Sequence, residues 1–339
     1  MKGIKLFQWL MLGILSSATL WSCFKPDQPV VESESERIYI KDSTFGPAQI
    51  FYSLAKRNIV KKNSIYDWDL AFDCSQNGFY IKLNSAKGMG AYNTGNRNFD
   101  LDYKKNYYPF KYDEQDGNLS KTAIGNWGDF NFDNPQSFGY VYIINRGLFE
   151  QGRKIGYKKM IMKGFKDGYY HLLFSDPDGA NQYYAKIPKS TKSHFTYFTF
   201  EEGGKLVDIE PPINTWDLLF TPYLNSISNL KYIFKMDEMR AVYDGVLINS
   251  KSRAIAADSF RSFEAINFRF LDSYTYFNQE NYIGKRFWYW DDIYNRAAVY
   301  PIPTYILKDN NQNYYKFKFE AFERDNFGNL KVCLDLKNL

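Results

Sequence analysis

The sequence predicts an all-β fold, and three observations carry that prediction. Aromatic residues make up 19% of the chain, with 29 Tyr and 29 Phe, and flat side chains pack well on a half-buried pleated face. Short apolar stretches alternate or run continuously: "FYIKLN" at 79–84, "FGYVYII" at 138–144 and "DGVLIN" at 244–249 read as strands. Turn dipeptides punctuate them, among them Asn77-Gly78, Asp167-Gly168, Asp178-Gly179, Gly203-Gly204 and Asp244-Gly245, while helical periodicity is scarce.

Taken in chain order, the first segment stands outside the fold. Residues 1–22 carry Lys2 and Lys5, then an apolar run, then small residues ahead of Cys23, which is the layout of a secretory signal. Its end, "LWSC", resembles a bacterial lipobox, with Leu20 at −3, Ser22 at −1 and Cys23 as the lipidated residue. Trp21 is bulkier than the usual small residue at −2, and an ordinary signal peptide is the alternative. Residues 23–37, including "FKPDQPVVESESE", are polar, acidic and proline-containing. Such a segment cannot bury enough apolar surface to fold and reads as a flexible tether. Beyond it no apolar run approaches the roughly 18 residues needed to span a bilayer. The expected arrangement is a body in water, held to a membrane by lipid.

The body carries a repeat. "SIYDWDLAF" (64–72) returns as "INTWDLLF" (213–220), and "KMIMKGFKDGYYHLLF" (159–174) is echoed by "TYILKDNNQNYYKFKF" (304–319). The first pair is offset by 148 positions and the second by 145. Two landmarks in one order at nearly one offset indicate a duplication. A short aromatic strand and a polar turn precede each Trp, with Phe51-Tyr52-Ser53-Leu54 matching Tyr197-Phe198-Thr199-Phe200. The later pair has the strand–turn–strand form of a hairpin. A β-propeller also uses Trp-Asp pairs, but its blades recur at about 40–45 residues, so spacing excludes it. The predicted units are 38–182 and 183–339. The second contains an insertion, "TPYLNSISNLKYIFKMDEMRAVY" (221–243), expected to form a hairpin.

Within the motif, strand alternation places Trp68, Leu70 and Phe72 on one face and Asp69 and Ala71 on the other. Trp216, Leu218 and Phe220 repeat the pattern opposite Asp217 and Leu219. The Trp residues are expected to support a core, and the Asp residues to accept hydrogen bonds from the backbone of a neighbouring turn. Cys74 and Cys333 are expected to be separate buried thiols, since their spacing does not argue for a pair.

The lipoprotein signal, the "WDLAF" unit with its following Leu/Ile-Asn strand, and the late "YILKD…YYKFKF" hairpin together resemble the HmuY-like family of Bacteroidota. "EPPINTWDLLFTPY" followed by "YDGVLIN" carries the likeness most clearly, over about 195–325, with a more divergent version over about 45–175. The resemblance implies an internally duplicated, HmuY-like antiparallel sheet or sandwich. It also implies an outer-membrane lipoprotein at the cell surface that binds haem and passes it to a TonB-dependent receptor. The family holds iron with two axial His or Met side chains from loops ahead of the final hairpin. "RFWYWDDIYNRAAVYPIP" and "FGYVYIINRGLFEQGRKIGY" occupy those places here and contain neither, so the axial ligands do not transfer.

The remaining candidates are weighed singly. Met236 and Met239 on the insertion carry thioethers that can ligate haem iron, although Met more often fills gaps in a core. His194 reads as a loop histidine or a ligand. His171 aligns with Lys316, which suggests a slot facing solvent. Met89 sits in a glycine-rich loop. Tyr294 can offer a tyrosinate, and "RFWYWDDIYN" can form the apolar wall a porphyrin requires. Trp288 and Trp290, two apart, would share a strand face, with Tyr289 on the other and at least one Trp buried. With Trp127 they also suit stacking on sugar rings, so glycan or protein binding is the second reading. The formal charge of +5 with no basic cluster argues against nucleic acid. No G-x-S-x-G, P-loop or Cys/His metal spacing occurs, and with two histidines no Ser-His-Asp or Cys-His set assembles from the sequence. The protein is not expected to be an enzyme.

Overall fold

The computed structural model describes residues 34–41, 47–103, 108–131, 135–226, 240–291, 293–294, 296–324 and 329–339. Cys23, Met236 and Met239 lie outside these residues. The strands form two five-stranded and two four-stranded antiparallel sheets with two short ribbons, as the composition predicts. Among the described residues the body is all-β, with helix limited to short 3-10 turns.

The two copies exchange strands. The approach strand of the first copy (Ala48–Ser53) pairs with the Trp-Asp strand of the second (Leu218–Ser226), with Leu218 opposite Tyr52 and Phe220 opposite Ile50. Reciprocally, the approach strand of the second copy (Phe195–Thr199) pairs with the Trp-Asp strand of the first (Leu70–Asp73), with Leu70 opposite Phe198 and Phe72 opposite Thr196. Each four-stranded sheet therefore contains strands from both copies. The same backbone bonds recur at each junction: Asp217 N–H donates to Tyr52 O and Asp69 N–H to Phe198 O, both at 2.8 Å.

Among the described residues three apolar cores lie between the sheets, and a fourth cluster, Phe99, Tyr103, Tyr108, Val141, Ile143 and Ile161, covers the outer face of the sheet bearing Met160. One core lies between the five-stranded sheet bearing Val332 and Leu334 and the four-stranded sheet bearing Ile50, Leu218 and Phe220. The second lies between the sheet bearing Met160 and Leu172 and the one bearing Leu70, Phe72 and Phe198. The third joins the two inner sheets through Phe51, Trp68, Ala71, Trp216, Leu219 and Leu247. Alternation along each inner strand feeds two cores at once, which is why "LAF" and "LLF" have no polar face.

Trp68 does not share a face with Leu70 and Phe72, contrary to the alternation predicted above. The strand begins only at Leu70, and the bend before it turns Trp68 into the central core beside Ala71. Trp216 does the same beside Leu219. Trp68 Nε1 donates to buried Gln49 Oε1 at 2.7 Å, so its polar edge is satisfied inside.

The turns mostly follow their residues. Asp167 (φ 54°) and Gly168 (φ 83°) join Tyr157–Lys166 to Tyr169–Ser175, and two successive positive φ values are what a type I′ hairpin needs. Asp244-Gly245 is the exception, since it lies inside Arg240–Ile248. A Cβ at Gly245 would sit 2.5 Å from Tyr223 Cε1 and 2.8 Å from Gly284 O, so this glycine serves close packing. The insertion forms a hairpin as far as it is described, paired from Leu218↔Ile248 to Ser226↔Arg240. Cys74 and Cys333 are both free, the first half-buried and the second buried.

Candidate functional site

Each motif Asp anchors a junction between copies. Asp217 Oδ2 accepts from Leu54 N at 2.6 Å, and Asp69 Oδ2 accepts from Phe200 N at 2.8 Å, the bonds to a neighbouring backbone that the sequence led us to expect. What sequence reasoning missed are the cations. Arg253 Nε donates to Asp217 Oδ1, Lys87 Nζ donates to Asp69 Oδ1 at 2.5 Å, and Arg146 reaches Asp69 Oδ2 at 3.0 Å. All three are at most 7% exposed. Burial works against the Asp69 charge, but Lys87 and Arg146 overcome it and hold the carboxyl below its usual range. Lys87 itself loses more to burial than Asp69 returns, partly because Arg146 is beside it, and its ammonium is pushed down. A signal existed: Lys87 and Arg253 follow Asn84 and Asn249 by three and four positions, and both Asn side chains donate to the motif Trp carbonyl.

His194 belongs to a polar seam between the inner sheets. Its Nδ1 lies 2.6 Å from Glu210 Oε1 and its Nε2 3.2 Å from Ser252 Oγ. This joins a serine, a histidine and a carboxylate in the order of a hydrolytic triad, which the sequence reading did not foresee. Ser252 is 1% exposed, and the adjoining cavity of about 50 Å³ holds a water or two rather than an ester. The relay ties a turn of the second copy to an approach strand. Lys82 and Glu280 pair nearby at 3.0 Å. Burial pushes the Asp113 carboxyl up to about 6 although Ala123 and Leu83 N–H groups donate to it.

The expected solvent slot at the Lys316 position is overturned. Lys316 is buried, and its ammonium donates to Phe263 O and, at 2.6 Å, to Ile266 O. The segment carrying those two residues lies over the strand, which the Tyr-Tyr alignment cannot show. His171, half-buried, bonds Tyr184. Met89, Met160 and Met162 are core residues at 1%, 0% and 1% exposure. Trp127 is also core, 1% exposed with Nε1 donating to Phe79 O at 2.7 Å, so it is not available to stack on a sugar.

A solvent-facing aromatic surface follows the ribbon of Trp288–Asp291 and Arg296–Val299. Trp288 points inward, stacked on Phe322 at 5.7 Å with Nε1 donating to Asp244 O at 3.0 Å. Trp290 is 54% exposed, Tyr289 39%, Ile293 87%, Tyr294 69%, Tyr300 47% and Ile302 53%. Tyr289 leans on Tyr300 at 4.8 Å, and the Arg296 guanidinium lies 5.3 Å over Tyr294. Trp288 and Val299 secure the core face of the ribbon, while Trp290, Ile293 and Tyr294 stand in water.

These residues were tested as a haem site. Among the described residues no group of three or more His, Cys, Asp or Glu can hold a metal ion. The two histidines stand in different sheets, each engaged by a neighbour. The described methionines are sealed in a core. A pair of axial His or Met ligands does not fit the described residues.

Among the described residues no helix is long and apolar enough to cross a membrane. No curated protein matches the chain. A crystal structure of apo PinO from Porphyromonas gingivitis overlaps 91% of this chain and 98% of its own at 8% identity, with a TM-score of 0.26, too slight a likeness to bear on the fold. A family described as HmuY protein matches residues 46–332, which span both Trp-Asp copies and both Tyr-Tyr hairpins, and this chain belongs to the HmuY family.

Proposed function

We propose that this protein is a non-catalytic binding protein, lipid-anchored through Cys23 at the outer-membrane surface, that takes up a planar tetrapyrrole of the haem kind and yields it to a TonB-dependent receptor. The observation that carries the reading is the aromatic surface around Trp290. Monomeric proteins seldom leave such contiguous apolar groups in water unless another molecule covers them. Trp290, and on the other face of the ribbon Tyr289 against Tyr300, offer flat rings that suit a flat apolar ligand by stacking. Membership of a family of surface-associated binding proteins supports the class of function.

In this reading the macrocycle is held by ring contact and dispersion, with the Tyr294 phenol as the nearest oxygen donor. Burying one face of an aromatic ring removes on the order of 100 Å² of apolar surface, about 2–3 kcal/mol per ring. Two or three rings then account for micromolar rather than nanomolar affinity. Titration of haemin into the wild-type protein and a Trp290→Ala/Tyr294→Ala variant tests it. The expected result is one saturable site whose affinity falls at least tenfold in the variant. Absence of saturable binding removes the tetrapyrrole and favours the second reading, in which the same rings meet a glycan or a protein partner.

A further inference from the structure

The environments of Asp69 and Asp217 are unequal, and the difference opens a pocket. Asp217 is satisfied by one buried cation, Arg253, and one backbone N–H. Asp69 has the equivalent backbone partner in Phe200 N–H, a bond from Thr199 Oγ1 and a buried cation in Lys87, yet it also holds Arg146. The second copy shows that a junction of this kind needs only one cation. Arg146 has no counterpart among the described partners of Asp217. Its outer nitrogen lies 2.6 Å from Glu201, a carboxylate 59% exposed, at the mouth of a cavity of about 430 Å³.

That cavity is a built one. Gly147 (φ +77°) brings the loop against the Lys87 carbonyl, where any Cβ would lie 2.0 Å from the oxygen. Leu148 N–H donates to Lys87 O at 2.9 Å, Phe149 N–H to Arg153 O at 2.7 Å, and Ile155 N–H to Gly147 O at 3.0 Å. The loop is thus fixed by its own hydrogen bonds before any ligand arrives. It carries Phe149, tilted against Tyr66 with ring centroids 4.6 Å apart, and Arg153, whose guanidinium lies 5.0 Å over Phe149. Arg153 and Lys154 are exposed, and among the described residues neither has a carboxylate at ion-pair distance. Four cations, Lys87, Arg146, Arg153 and Lys154, face three carboxylates, Asp69, Glu201 and Glu150, the last near enough to act on Tyr66.

We propose that this pocket is a second binding site, for a small planar compound bearing carboxylate groups. The volume lies within the range of small-ligand sites. Guanidinium forks match carboxylates in a bidentate way that a lysine cannot; Arg153 offers one, while Arg146, whose Nε and Nη2 hold Asp69, adds a single contact through Nη2. The half-buried faces of Tyr66 and Phe149 accept a flat ring better than a tetrahedral anion. Glu201 acts as the placeholder: its carboxylate holds Arg146 Nη2 at 2.6 Å, beside the Nε and Nη2 bonds that Asp69 keeps, until a ligand carboxylate replaces it and Glu201 swings to water.

The experiment is calorimetric titration of the protein with phthalate, with cyclohexane-1,2-dicarboxylate and inorganic phosphate as the non-planar and tetrahedral comparisons. Phthalate is expected to saturate one site and to bind at least fivefold more tightly than either comparison. Arg153→Ala/Lys154→Ala, at exposed positions, should weaken phthalate at least tenfold with an unchanged melting temperature. Glu201→Gln should strengthen it. Haemin binding should be unchanged in the Arg153/Lys154 variant, because the aromatic ribbon is a different surface. The proposal is overturned if phthalate shows no saturation at millimolar concentration, if the double variant binds it equally, or if phosphate binds as well. Loss of haemin affinity in that variant overturns the separation of the two sites and moves the tetrapyrrole carboxylates into this pocket.

Discussion

Replacing Asp217 with asparagine isolates what the motif carboxylate contributes. The side chain keeps its size, so the change is one of charge and hydrogen bonding. In the folded protein Asp217 is 2% exposed and accepts from Arg253, itself 6% exposed, and from the Leu54 amide at 2.6 Å. Asparagine can still serve the amide, but it leaves the guanidinium buried without a counter-charge. Arg253 retains only carbonyl partners, Ser252 O at 2.8 Å and Asn214 O at 3.1 Å. Removing one partner of a buried pair costs about 3–5 kcal/mol. Exchanging the pair for apolar or neutral groups costs far less, so Asp217→Asn/Arg253→Met should recover at least ~1 kcal/mol of that loss. Urea unfolding at neutral pH, followed by tryptophan fluorescence, reads both values. A single-variant loss below about 1 kcal/mol, or a double variant at least as unstable as the single, would refute the view that this pair holds the copies together.

Three further outcomes follow from the same geometry. Trp68→Ala empties the central core and leaves Gln49 without its indole donor, and should cost about 3–5 kcal/mol in the same assay. Asp113, pushed up to about 6 from an ordinary 3.8, binds its proton more tightly folded than unfolded. Its contribution is therefore fully present below about pH 4 and is lost as pH rises through 6, by roughly 3 kcal/mol at most. Wild type should lose stability relative to Asp113→Asn over that window, and a constant difference from pH 4 to 7 would contradict the assignment. Burial raises both the Cys74 and Cys333 thiols, so both should react with a thiol reagent far more slowly in the native protein than in urea. A mass or mobility change on reduction, showing a disulfide between them, would disprove the free pair.

How much of this was legible depends on the range of the interaction. The recurrence of the Trp-Asp stretch was, because Trp68 and Trp216 stand at a spacing that a second landmark repeats. The Asp-to-backbone bonds were too, since a buried carboxylate beside a turn has few other partners. The exchange of approach strands was not, because Ala48–Ser53 can pair with either Trp-Asp strand on local grounds. Only the closure of three cores together selects the distant one. The direction of Trp68 failed for a smaller reason: the strand starts two residues later than the alternation assumed. Lys316 failed because the segment bearing Phe263 and Ile266 covers it from 50 positions away. The candidate sites divide the same way. The aromatic ribbon is contiguous in sequence and could be read there, with Trp288 inward and Trp290 outward fixed only by the fold. The basic pocket draws on residues 66, 87, 146–155 and 201, and no local pattern joins them.

The central claim is that the aromatic ribbon binds a tetrapyrrole by its face and not through a pair of axial His or Met ligands. Parallel titrations with haemin and iron-free protoporphyrin IX address it most directly. The account predicts saturable one-to-one binding of both, with affinities within about tenfold, or ~1.4 kcal/mol, and both weakened by Trp290→Ala. Binding of haemin with no detectable binding of the iron-free ring, and no effect of Trp290→Ala, would contradict it.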